Sequence, residues 1–359
     1  MKDSITIAVL GAGNGGQAFA GHLASMGYTV RLFDRNEEKV KVLNANKSII
    51  LKGALDLCGE IEMISTNLEE VVRGANIIMV ATTATAHRTL AHKLASILTE
   101  NQIIVLNPGR TCGALEFRNV LYESGLTARV YVAEAQTLVY ACRLIENGVV
   151  NIIGVKDRVL ISAYPASDTD YVLSILKPIF PCFFPAKNVL QTSFENVGAM
   201  FHPTVVLFNE AAIERGESFY FYRDMTNGLA KIIEEADRER LSVAKAYGIT
   251  PISAFEWVSY AYNGVEGRDL CERMQNNPAY YEIKAPINID CRQITEDIPT
   301  GIIPLAELGR AAGVPTPLFD SLITICSILH GKDYRKEGRT LKRLGLDELS
   351  PEEIIKKIH

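Results

Sequence analysis

Two groups of residues in this sequence have types and spacing that suit chemistry. The first is Gly11-x-Gly13-x-x-Gly16, which follows an apolar run at residues 5–10, while Asp34 ends the next apolar run. This order predicts a buried strand, a tight turn and a helix that begins at the glycines, with an acid at the end of the second strand. It is the arrangement with which many α/β proteins bind a dinucleotide.

Each part of the glycine motif has a mechanical reason. Gly11 permits the tight turn, Gly13 lets the backbone approach a pyrophosphate, and Gly16 lets helix and strand pack closely. The helix N-terminus attracts the phosphates. Asp34 can accept hydrogen bonds from the adenosine ribose hydroxyls and would repel a 2′-phosphate, which favours NAD(H); Arg35 could hold that phosphate, so NADP(H) stays open. The alternatives are a glycine-rich loop of another α/β protein and, for Asp34, an ordinary acid at a strand end.

The second group centres on a histidine. A nicotinamide enzyme that acts on a carbonyl or an amine needs a proton donor and acceptor, and histidine suits this role near neutral pH. His202 follows the apolar residues 197–201 and precedes Pro203. From these residues alone, a satisfied core histidine is the commoner interpretation.

The elements that position these residues follow from periodicity. Strands alternating with helices predict a doubly wound, mainly parallel sheet. The predicted strands are residues 5–10, 28–33, 77–81, 103–106, 130–133 and 151–155. Thr66 and Glu69 have capping-box spacing, which predicts a short helix that ends at Gly74.

Helical periodicity dominates the second half of the chain, at residues 229–247, 305–312 and 318–329. We therefore expect a dinucleotide-binding Rossmann domain at residues 1–187 and a mainly helical substrate domain at residues 188–359. Three prolines within residues 177–185 indicate a linker or domain edge. The basic side chains between residues 332 and 339, interleaved with acids, predict a solvated face.

Composition excludes several classes of protein. The chain has 359 residues, a formal net charge of -5 and 48% hydrophobic residues, so we expect real cores and no general nucleic-acid binding. No apolar stretch has the length of a membrane helix, so we expect no membrane partner. The 7 cysteines include no Cys-x-x-Cys pair. We therefore expect no metal site, no disulfide framework and a cytoplasmic location.

Short motifs along nearly the whole chain resemble the opine dehydrogenases, the octopine/nopaline dehydrogenase family. The most specific are Asn196-Val197-x-Ala199-x-x-His202-Pro203 and Asp297-Ile298-Pro299-Thr300-Gly301. The other matching segments are Gly11-Ala12-Gly13-Asn14-Gly15-Gly16, Asn107-Pro108-Gly109, Asn277-Pro278-Ala279-Tyr280, Ile303-Pro304-Leu305-x-x-Leu308-Gly309, Val314-Pro315-Thr316-Pro317 and Arg335-Lys336-Glu337-Gly338-Arg339-Thr340-Leu341.

The resemblance implies a reaction and the residues that perform it. A 2-oxo acid such as pyruvate would condense with the α-amino group of an L-amino acid, and NAD(P)H would reduce the imine. His202 and Asp297 would form a catalytic dyad in which the carboxylate orients the imidazole. Arg292 would hold a carboxylate of the substrate, and Asn196 and Arg143 are weaker candidates for substrate binding. The implied cofactor residues are Gly11, Gly13, Asn14, Gly15, Gly16, Asp34, Arg35, Asn107, Pro108 and Gly109. The partners would be small molecules, and the resemblance allows a homodimer.

Two other interpretations stay open. Ketopantoate reductases and glycerol-3-phosphate dehydrogenases also join a Rossmann domain to a helical domain, but commonly use a lysine four residues before an asparagine. Thr192 occupies that position before Asn196, which counts against them. The other interpretation is a catalytically silent NAD-sensing protein, which would have no need for His202, Asp297 and Arg292 together.

Overall fold

A computed structural model describes residues 5–261 and 264–359 of the chain. The described residues form two compact units. The first comprises residues up to Gly109, then Gly113–Val189 and His359, and the second comprises Arg110–Cys112 and Leu190–Ile358. A three-residue segment from early in the chain thus belongs to the second unit, which no sequence pattern indicated.

The first unit is built on strands joined by helices. Its strands are β1 (Thr6–Leu10), β2 (Thr29–Phe33), β3 (Ser48–Gly53), β4 (Leu57–Glu60), β5 (Met63–Ser65), β6 (Ile77–Val80), β7 (Ile103–Leu106), β8 (Tyr131–Ala135), β9 (Tyr140–Glu146), β10 (Val149–Val155), β11 (Val159–Tyr164) and β12 (Phe183–Pro185). Its helices are α1 (Asn14–Ser25), α2 (Glu37–Asn46), α3 (Leu68–Val72), α4 (His87–Leu94), α5 (Gly113–Glu123) and α6 (Thr169–Leu176).

In the part of the chain that the structure describes, the larger sheet has 8 strands in the order β12-β11-β8-β7-β6-β1-β2-β5. Neighbouring strands run parallel except β8 and β11. Strands β6 and β7 are buried at every residue, as expected for central parallel strands that helices cover on both faces. The predicted doubly wound, mainly parallel sheet is confirmed.

A second sheet in this unit was not predicted. Within the described ranges it has 4 strands in the order β4-β3-β10-β9. Residues 151–155, expected as a strand, belong to β10 of this sheet rather than to the larger one. The outward side chains Ile50, Ile145 and Ile153 are exposed, so this sheet lacks the continuous apolar signal of a central strand.

One local prediction was wrong, and a second holds only in one of its two alternatives. The N-cap of α3 is Asn67, whose side chain accepts hydrogen bonds from the backbone N–H groups of Glu69 and Glu70, so Thr66 does not cap the helix. For the proline-containing segment 177–185, the linker alternative fails at its end, because Phe183–Pro185 pairs with β11 as the edge strand β12. The domain-edge alternative stays open, since the first unit ends at Val189. An edge strand tolerates proline because one side of its backbone needs no ladder hydrogen bond.

The second unit is helical. Its helices are α7 (Val189–Phe194), α8 (Gly198–Leu207), α9 (Glu210–Glu214), α10 (Asn227–Ala246), α11 (Ala254–Ala261), α12 (Leu270–Gln275), α13 (Arg292–Thr295), α14 (Ile303–Ala311), α15 (Pro317–His330), α16 (Tyr334–Glu337) and α17 (Pro351–Ile358). None of the helices in the described ranges combines the length and apolar character needed to cross a lipid bilayer.

Helix α10 organises the core of this unit. The side chain of Thr226 caps its N-terminus by accepting a hydrogen bond from the Leu229 N–H. Its buried face includes Ile233, Ala236 and Val243, which recur with helical spacing. The long helix therefore provides a fixed frame against which α8 and α14 pack.

The predicted solvated basic face is wrong at one position. Lys332 and Lys336 are exposed, but Arg339 is buried and its Nη1 donates a hydrogen bond to the carbonyl of Thr111 at 2.9 Å. A buried guanidinium needs polar partners. The segment Arg110–Cys112 supplies one, and this contact was invisible to charge patterning.

Candidate active site

The glycine loop has the geometry that a dinucleotide requires. Gly11 has a φ of +102°, which favours glycine, and its N–H donates a hydrogen bond to the Phe33 carbonyl at 2.8 Å. A Cβ on Gly16 would lie 1.6 Å from the Gly11 carbonyl oxygen, so only glycine fits there. A Cβ on Gly13 would meet nothing within 4 Å. The backbone at Gly13 therefore faces open space, and this is where the sequence motif predicts a bound pyrophosphate.

The two remaining glycine-loop residues contact β9 and the segment just before it. The Asn14 side-chain oxygen accepts a hydrogen bond from the Leu144 N–H at 3.0 Å, and a Cβ on Gly15 would lie 3.0 Å from the Leu138 side chain. Asn14 thus has a structural role in joining the helix start to β9. Its predicted contact with a cofactor stays a prediction.

Asp34 is anchored at the end of β2 and carries more partners than the sequence suggested. Its Oδ2 accepts from the Ala12 N–H at 2.7 Å and lies 3.2 Å from Lys39 Nζ, while Oδ1 accepts from the Asn36 N–H at 3.0 Å. Burial by itself raises the pKa of Asp34, but these backbone N–H groups and Lys39 lower it overall. The carboxylate is therefore ionised near neutral pH.

These contacts reduce the number of hydrogen bonds that Asp34 can accept from the adenosine ribose. Each carboxylate oxygen can accept about two hydrogen bonds, so Oδ2 is already satisfied and Oδ1 keeps one acceptor position. Lys39 also offsets part of the charge that would repel a 2′-phosphate. Arg35, next in sequence, is exposed. The sequence did not identify Lys39 because nothing distinguished it from other surface lysines of a helix.

Asn107, Pro108 and Gly109 follow the C-terminal end of β7. Asn107 is buried; its Nδ2 donates to the Val105 carbonyl at 2.8 Å, and its buried Oδ1 has no hydrogen-bond partner among the described residues. A Cβ on Gly109 would lie 2.5 Å from Glu134. The carboxyl ends of parallel strands are where open α/β sheets bind ligands, which is consistent with a cofactor role for this turn.

His202 and Asp297 meet in the second unit. His202 lies on α8, and its Nδ1 is 2.8 Å from Oδ2 of Asp297, which immediately precedes a π-helical turn at Ile298–Ile302. The side chain of Asp297 is 0% exposed and that of His202 is 16% exposed. Because an ionised carboxylate only accepts hydrogen bonds, Nδ1 must carry the hydrogen of this pair. The tautomer is thereby fixed.

Arg110 keeps the buried carboxylate charged. Its Nη1 lies 3.3 Å from Asp297 Oδ1, and its Nη2 lies 3.1 Å from Glu296 Oε2. Burial by itself raises the pKa of Asp297, but Arg110 and then His202 outweigh it and lower that pKa. Asp297 is therefore a carboxylate at neutral pH. Such a carboxylate stabilises an imidazolium on its partner.

Arg292 begins α13, one helical turn before the acids. Its Nε lies 3.8 Å from Glu296 Oε2, and its side chain is 58% exposed. The charge of Arg292 also contributes to lowering the pKa of Asp297. The structure thus brings Arg292 close to the His202–Asp297 pair while its guanidinium stays accessible for a carboxylate ligand.

Asn196 and Arg143 are placed very differently. Asn196 is buried just before α8, and its Nδ2 lies 3.4 Å from Thr111 Oγ1. The same Nδ2 would lie 3.4 Å from a Cβ at position 301, where the chain has glycine. Asn196 belongs to the same unit as the dyad. Arg143 is an exposed residue of β9 in the first unit, whereas His202 belongs to the second unit.

Sequence reasoning missed three residues around the dyad: Arg110, Glu296 and Tyr222. The signals were faint. Arg110 follows Asn107-Pro108-Gly109 directly, and Glu296 adjoins Asp297, but no spacing rule relates Arg110 to Glu296, which lie 186 positions apart. Tyr222, whose hydroxyl lies 3.1 Å from His202 Nε2, stands in no motif at all.

Comparisons with known proteins agree with this architecture. Residues 6–109 match the family described as NAD-dependent glycerol-3-phosphate dehydrogenase N-terminus. Residues 185–330 match NAD/NADP octopine/nopaline dehydrogenase, alpha-helical domain. The opine dehydrogenase of Arthrobacter sp. (strain 1C) is 38% identical over 352 residues, which cover 98% of both chains.

Solved structures show the same fold. An octopine dehydrogenase determined with NADH and L-arginine superposes with a TM-score of 0.80 at 23% identity and covers 98% of each chain. Yersinopine dehydrogenase with bound NADP+ gives a TM-score of 0.74 at 14% identity, over 99% of this chain and 98% of that one. The chain is therefore an NAD(P)-dependent oxidoreductase with a Rossmann-like domain and a helical domain.

The 38% identity along nearly the full chain settles the narrower class. The chain belongs to the opine dehydrogenase family, as its motifs predicted.

Proposed function

We propose that this protein is an NAD(P)H-dependent opine dehydrogenase that reversibly condenses a 2-oxo acid, with pyruvate the expected one, with the α-amino group of an L-amino acid. The observation that carries the proposal is the 2.8 Å hydrogen bond between His202 Nδ1 and the buried Asp297. Such a pair can hold a proton on the imidazole and release it to a substrate. A protein that only senses NAD has no need of it.

His202 is the general acid and base in this proposal. Asp297 keeps hydrogen on Nδ1, so the proton that moves is the one on Nε2. The imidazolium assists loss of water and formation of the imine, and neutral His202 accepts the proton in the reverse direction. When bound, NADH supplies the hydride that reduces the imine carbon. Arg110 keeps Asp297 ionised throughout.

Arg292 binds a substrate carboxylate in this scheme. Both substrates are acids, and a guanidinium can hold a carboxylate through two parallel hydrogen bonds. Its 58% exposure and its position one turn before Asp297 support this role. We propose a lesser contribution from Asn196 beside Thr111, and we keep Arg143 as a substrate contact with weaker support, since it lies in the first unit.

The first unit binds the cofactor through Gly11, Gly13, Asn14, Gly15, Gly16, Asp34, Arg35, Asn107, Pro108 and Gly109. The sterically restricted Gly16, the open space at Gly13 and the ionised Asp34 support this assignment. We propose that NADH is preferred and NADPH accepted. Lys39 makes the preference modest, because it offsets part of the Asp34 charge.

The cofactor preference is measured as kcat/KM for NADH and NADPH. We expect a higher value for NADH, a smaller gap in Asp34→Ala, and a larger gap in Lys39→Met, which leaves the carboxylate uncompensated. A clear NADPH preference in the unmodified protein would contradict the assignment of Asp34 and implicate Arg35.

The proposed function itself is tested by NADH oxidation with pyruvate and a mixture of L-amino acids. Oxidation must require both substrates and yield a secondary amine dicarboxylate. Oxidation with a 2-oxo acid alone would indicate a ketopantoate-reductase-like activity, and oxidation with dihydroxyacetone phosphate would indicate a glycerol-3-phosphate dehydrogenase. Binding of NADH without any turnover would indicate the sensing protein. Thr192, in place of the lysine that those reductases commonly use, supports the first outcome.

The remaining parts of the proposal concern organisation. We propose a cofactor domain at residues 1–187 and a substrate domain at residues 188–359, with small molecules as the partners. In the described part of the chain no cysteine forms a disulfide, which supports a cytoplasmic location. Exposed Ile325, Ile328 and Leu329 on α15 support a homodimer. Light scattering measures the oligomeric state.

A further inference from the structure

Both ring nitrogens of His202 are engaged within the second unit. Nδ1 faces Asp297 Oδ2 at 2.8 Å, and Nε2 faces the Tyr222 hydroxyl at 3.1 Å. Because the carboxylate holds hydrogen on Nδ1, Nε2 is the nitrogen that gains and loses a proton. The first atom that this proton meets is therefore Tyr222 Oη.

A tyrosine hydroxyl fits both protonation states of that nitrogen. It has one hydrogen to donate and lone pairs that accept. Next to neutral His202, Oη–H donates to Nε2. Next to the imidazolium, Nε2–H donates to Oη, which frees the hydroxyl hydrogen to point elsewhere. The hydrogen bond survives the proton transfer, whereas a carbonyl or an amide N–H in this position would suit only one state.

The Tyr222 ring is held in place by other aromatic side chains. Tyr280 stacks on it with ring centroids 4.5 Å apart, Phe221 meets it edge-on at 4.8 Å, and Phe201 lies at 6.3 Å. Tyr222 itself is only 7% exposed. Moving this ring away from Nε2 would break three aromatic contacts. The structure thus favours a hydroxyl that stays beside His202 during the reaction.

A cation lies within electrostatic range of the Tyr222 phenol. Burial by itself lowers the pKa of Arg110, but interactions with Asp297, Glu296 and Tyr222 raise it overall. Arg110 is therefore a permanent cation within electrostatic range of Tyr222.

We propose that Tyr222 relays the proton between His202 and the substrate nitrogen. This inference rests on the proposed function, because it takes the substrate to be the imine of a 2-oxo acid and an amino acid. The imine nitrogen forms an N–H bond with the hydrogen of Tyr222 Oη, and Oη forms an O–H bond with the hydrogen of Nε2. The N–H electron pair stays on Nε2, so His202 ends neutral. The imine carbon takes its electron pair from the hydride of NADH, and Tyr222 ends unchanged.

Tyr222→Phe tests the relay, because it removes the hydroxyl and keeps the aromatic ring. The second unit offers a matched control. Tyr334 also places its hydroxyl against a histidine, 2.6 Å from His330 Nδ1, and has no role in the proposed reaction. The control variant is Tyr334→Phe. NADH affinity and thermal unfolding, measured for both variants, show that each is folded.

We expect kcat of Tyr222→Phe to fall roughly 100-fold, the lower end of the range for a positioned proton-transfer group. NADH affinity should be unchanged, and Tyr334→Phe should keep its kcat. In single turnovers, the rate in mixtures of H2O and D2O should curve for the unmodified protein, because two protons move. For Tyr222→Phe the dependence should be linear.

Other results would overturn the relay. A kcat within twofold of the unmodified protein would mean that Tyr222 leaves Nε2 and His202 reaches the substrate directly. A raised KM with unchanged kcat would make Tyr222 a binding residue, and a linear isotope dependence in the unmodified protein would exclude two moving protons.

A measurement without substrate separates this inference from the proposed function. The imidazole 15N resonance of Nε2 in the ligand-free protein is identified by its absence in His202→Gln. Tyr222→Phe should shift this resonance and Tyr334→Phe should not. If the unmodified protein shows no turnover, the proposed function fails; if the Nε2 resonance is unmoved in Tyr222→Phe, the relay fails whatever the activity.

Discussion

Two histidines of the second unit contact a tyrosine hydroxyl, and they differ in what holds the other ring nitrogen. His202 Nε2 faces Tyr222, while Nδ1 faces the carboxylate of Asp297. His330 Nδ1 faces Tyr334, while Nε2 lies 3.1 Å from the backbone carbonyl of Ile289. A carbonyl and a carboxylate both accept a hydrogen bond and both fix a tautomer.

The difference between them is charge. A carboxylate stabilises an imidazolium, and a carbonyl dipole does so far less. The His330–Tyr334 pair at the end of α15 is therefore a structural contact. The His202–Asp297 pair, with Arg110 beside Asp297, is the one that we propose as the acid–base group. We propose that the buried, charge-balanced carboxylate, and not the tyrosine, is what makes the His202 pair an active site.

The largest expected effect separates the two histidines. His202→Ala should lower kcat by ~100- to 10,000-fold, the range for a general acid and base. NADH affinity should persist, because the glycine loop is untouched. His330→Ala should change kcat by less than about threefold and show its cost in thermal unfolding instead. Equal losses of kcat in the two variants would abolish the distinction drawn between them.

We expect the next largest effect from removing the negative charge of Asp297. Asp297→Asn keeps the shape but cannot balance an imidazolium, so kcat should fall by at least about tenfold.

The unmodified enzyme should also have a more alkaline pH optimum for oxidation than for reduction, because oxidation needs neutral His202 and reduction needs the imidazolium. Steady-state rates across pH in both directions measure this. Coincident optima would argue against His202 as the group that exchanges the proton.

Arg292→Lys should act on binding rather than on chemistry. It keeps the charge but loses the planar fork, so KM for the oxo acid or the amino acid should rise several-fold with NADH affinity unchanged. A matched control is Arg268→Lys, an exposed arginine paired with Glu272. If NADH affinity in Arg292→Lys weakens as much as substrate KM rises, Arg292 has been given the wrong role.

The smallest expected effect is on the free energy of unfolding at acid pH. The folded pKa of Asp297 is lowered, so its contribution to stability is present above the unfolded pKa of about 3.9 and is lost as pH falls through the folded value. The free energy of unfolding of the unmodified protein should drop in that acid window by on the order of 1–2 kcal/mol more than that of Asp297→Asn. The carbonyl beside His330 does not titrate, so His330→Gln should keep the acid dependence of the unmodified protein. An identical acid dependence in Asp297→Asn would contradict the assigned pKa shift.

Sequence reasoning recovered most of the fold because its signals are local. The buried runs of β1, β6 and β7, the glycine turn at Gly11 and the periodicity of α10 each lie within a short window. The second sheet escaped because its strands are half-exposed and pair over long separations. In the candidate site, too, contacts over long sequence separations were not predicted. Resemblance identified His202 and Asp297, but Arg110 and Tyr222 join them only through folding.

The central claim is that His202 and Asp297 act as one unit, and a double-mutant cycle tests it most directly. The kcat of imine reduction is measured for His202→Ala, Asp297→Asn and the variant with both changes, with NADH affinity as the check of folding. Because Asp297 acts through His202, we predict that the double variant is less than about threefold slower than His202→Ala alone. Losses that multiply, with normal NADH affinity, would show that the two residues work independently and would contradict the account.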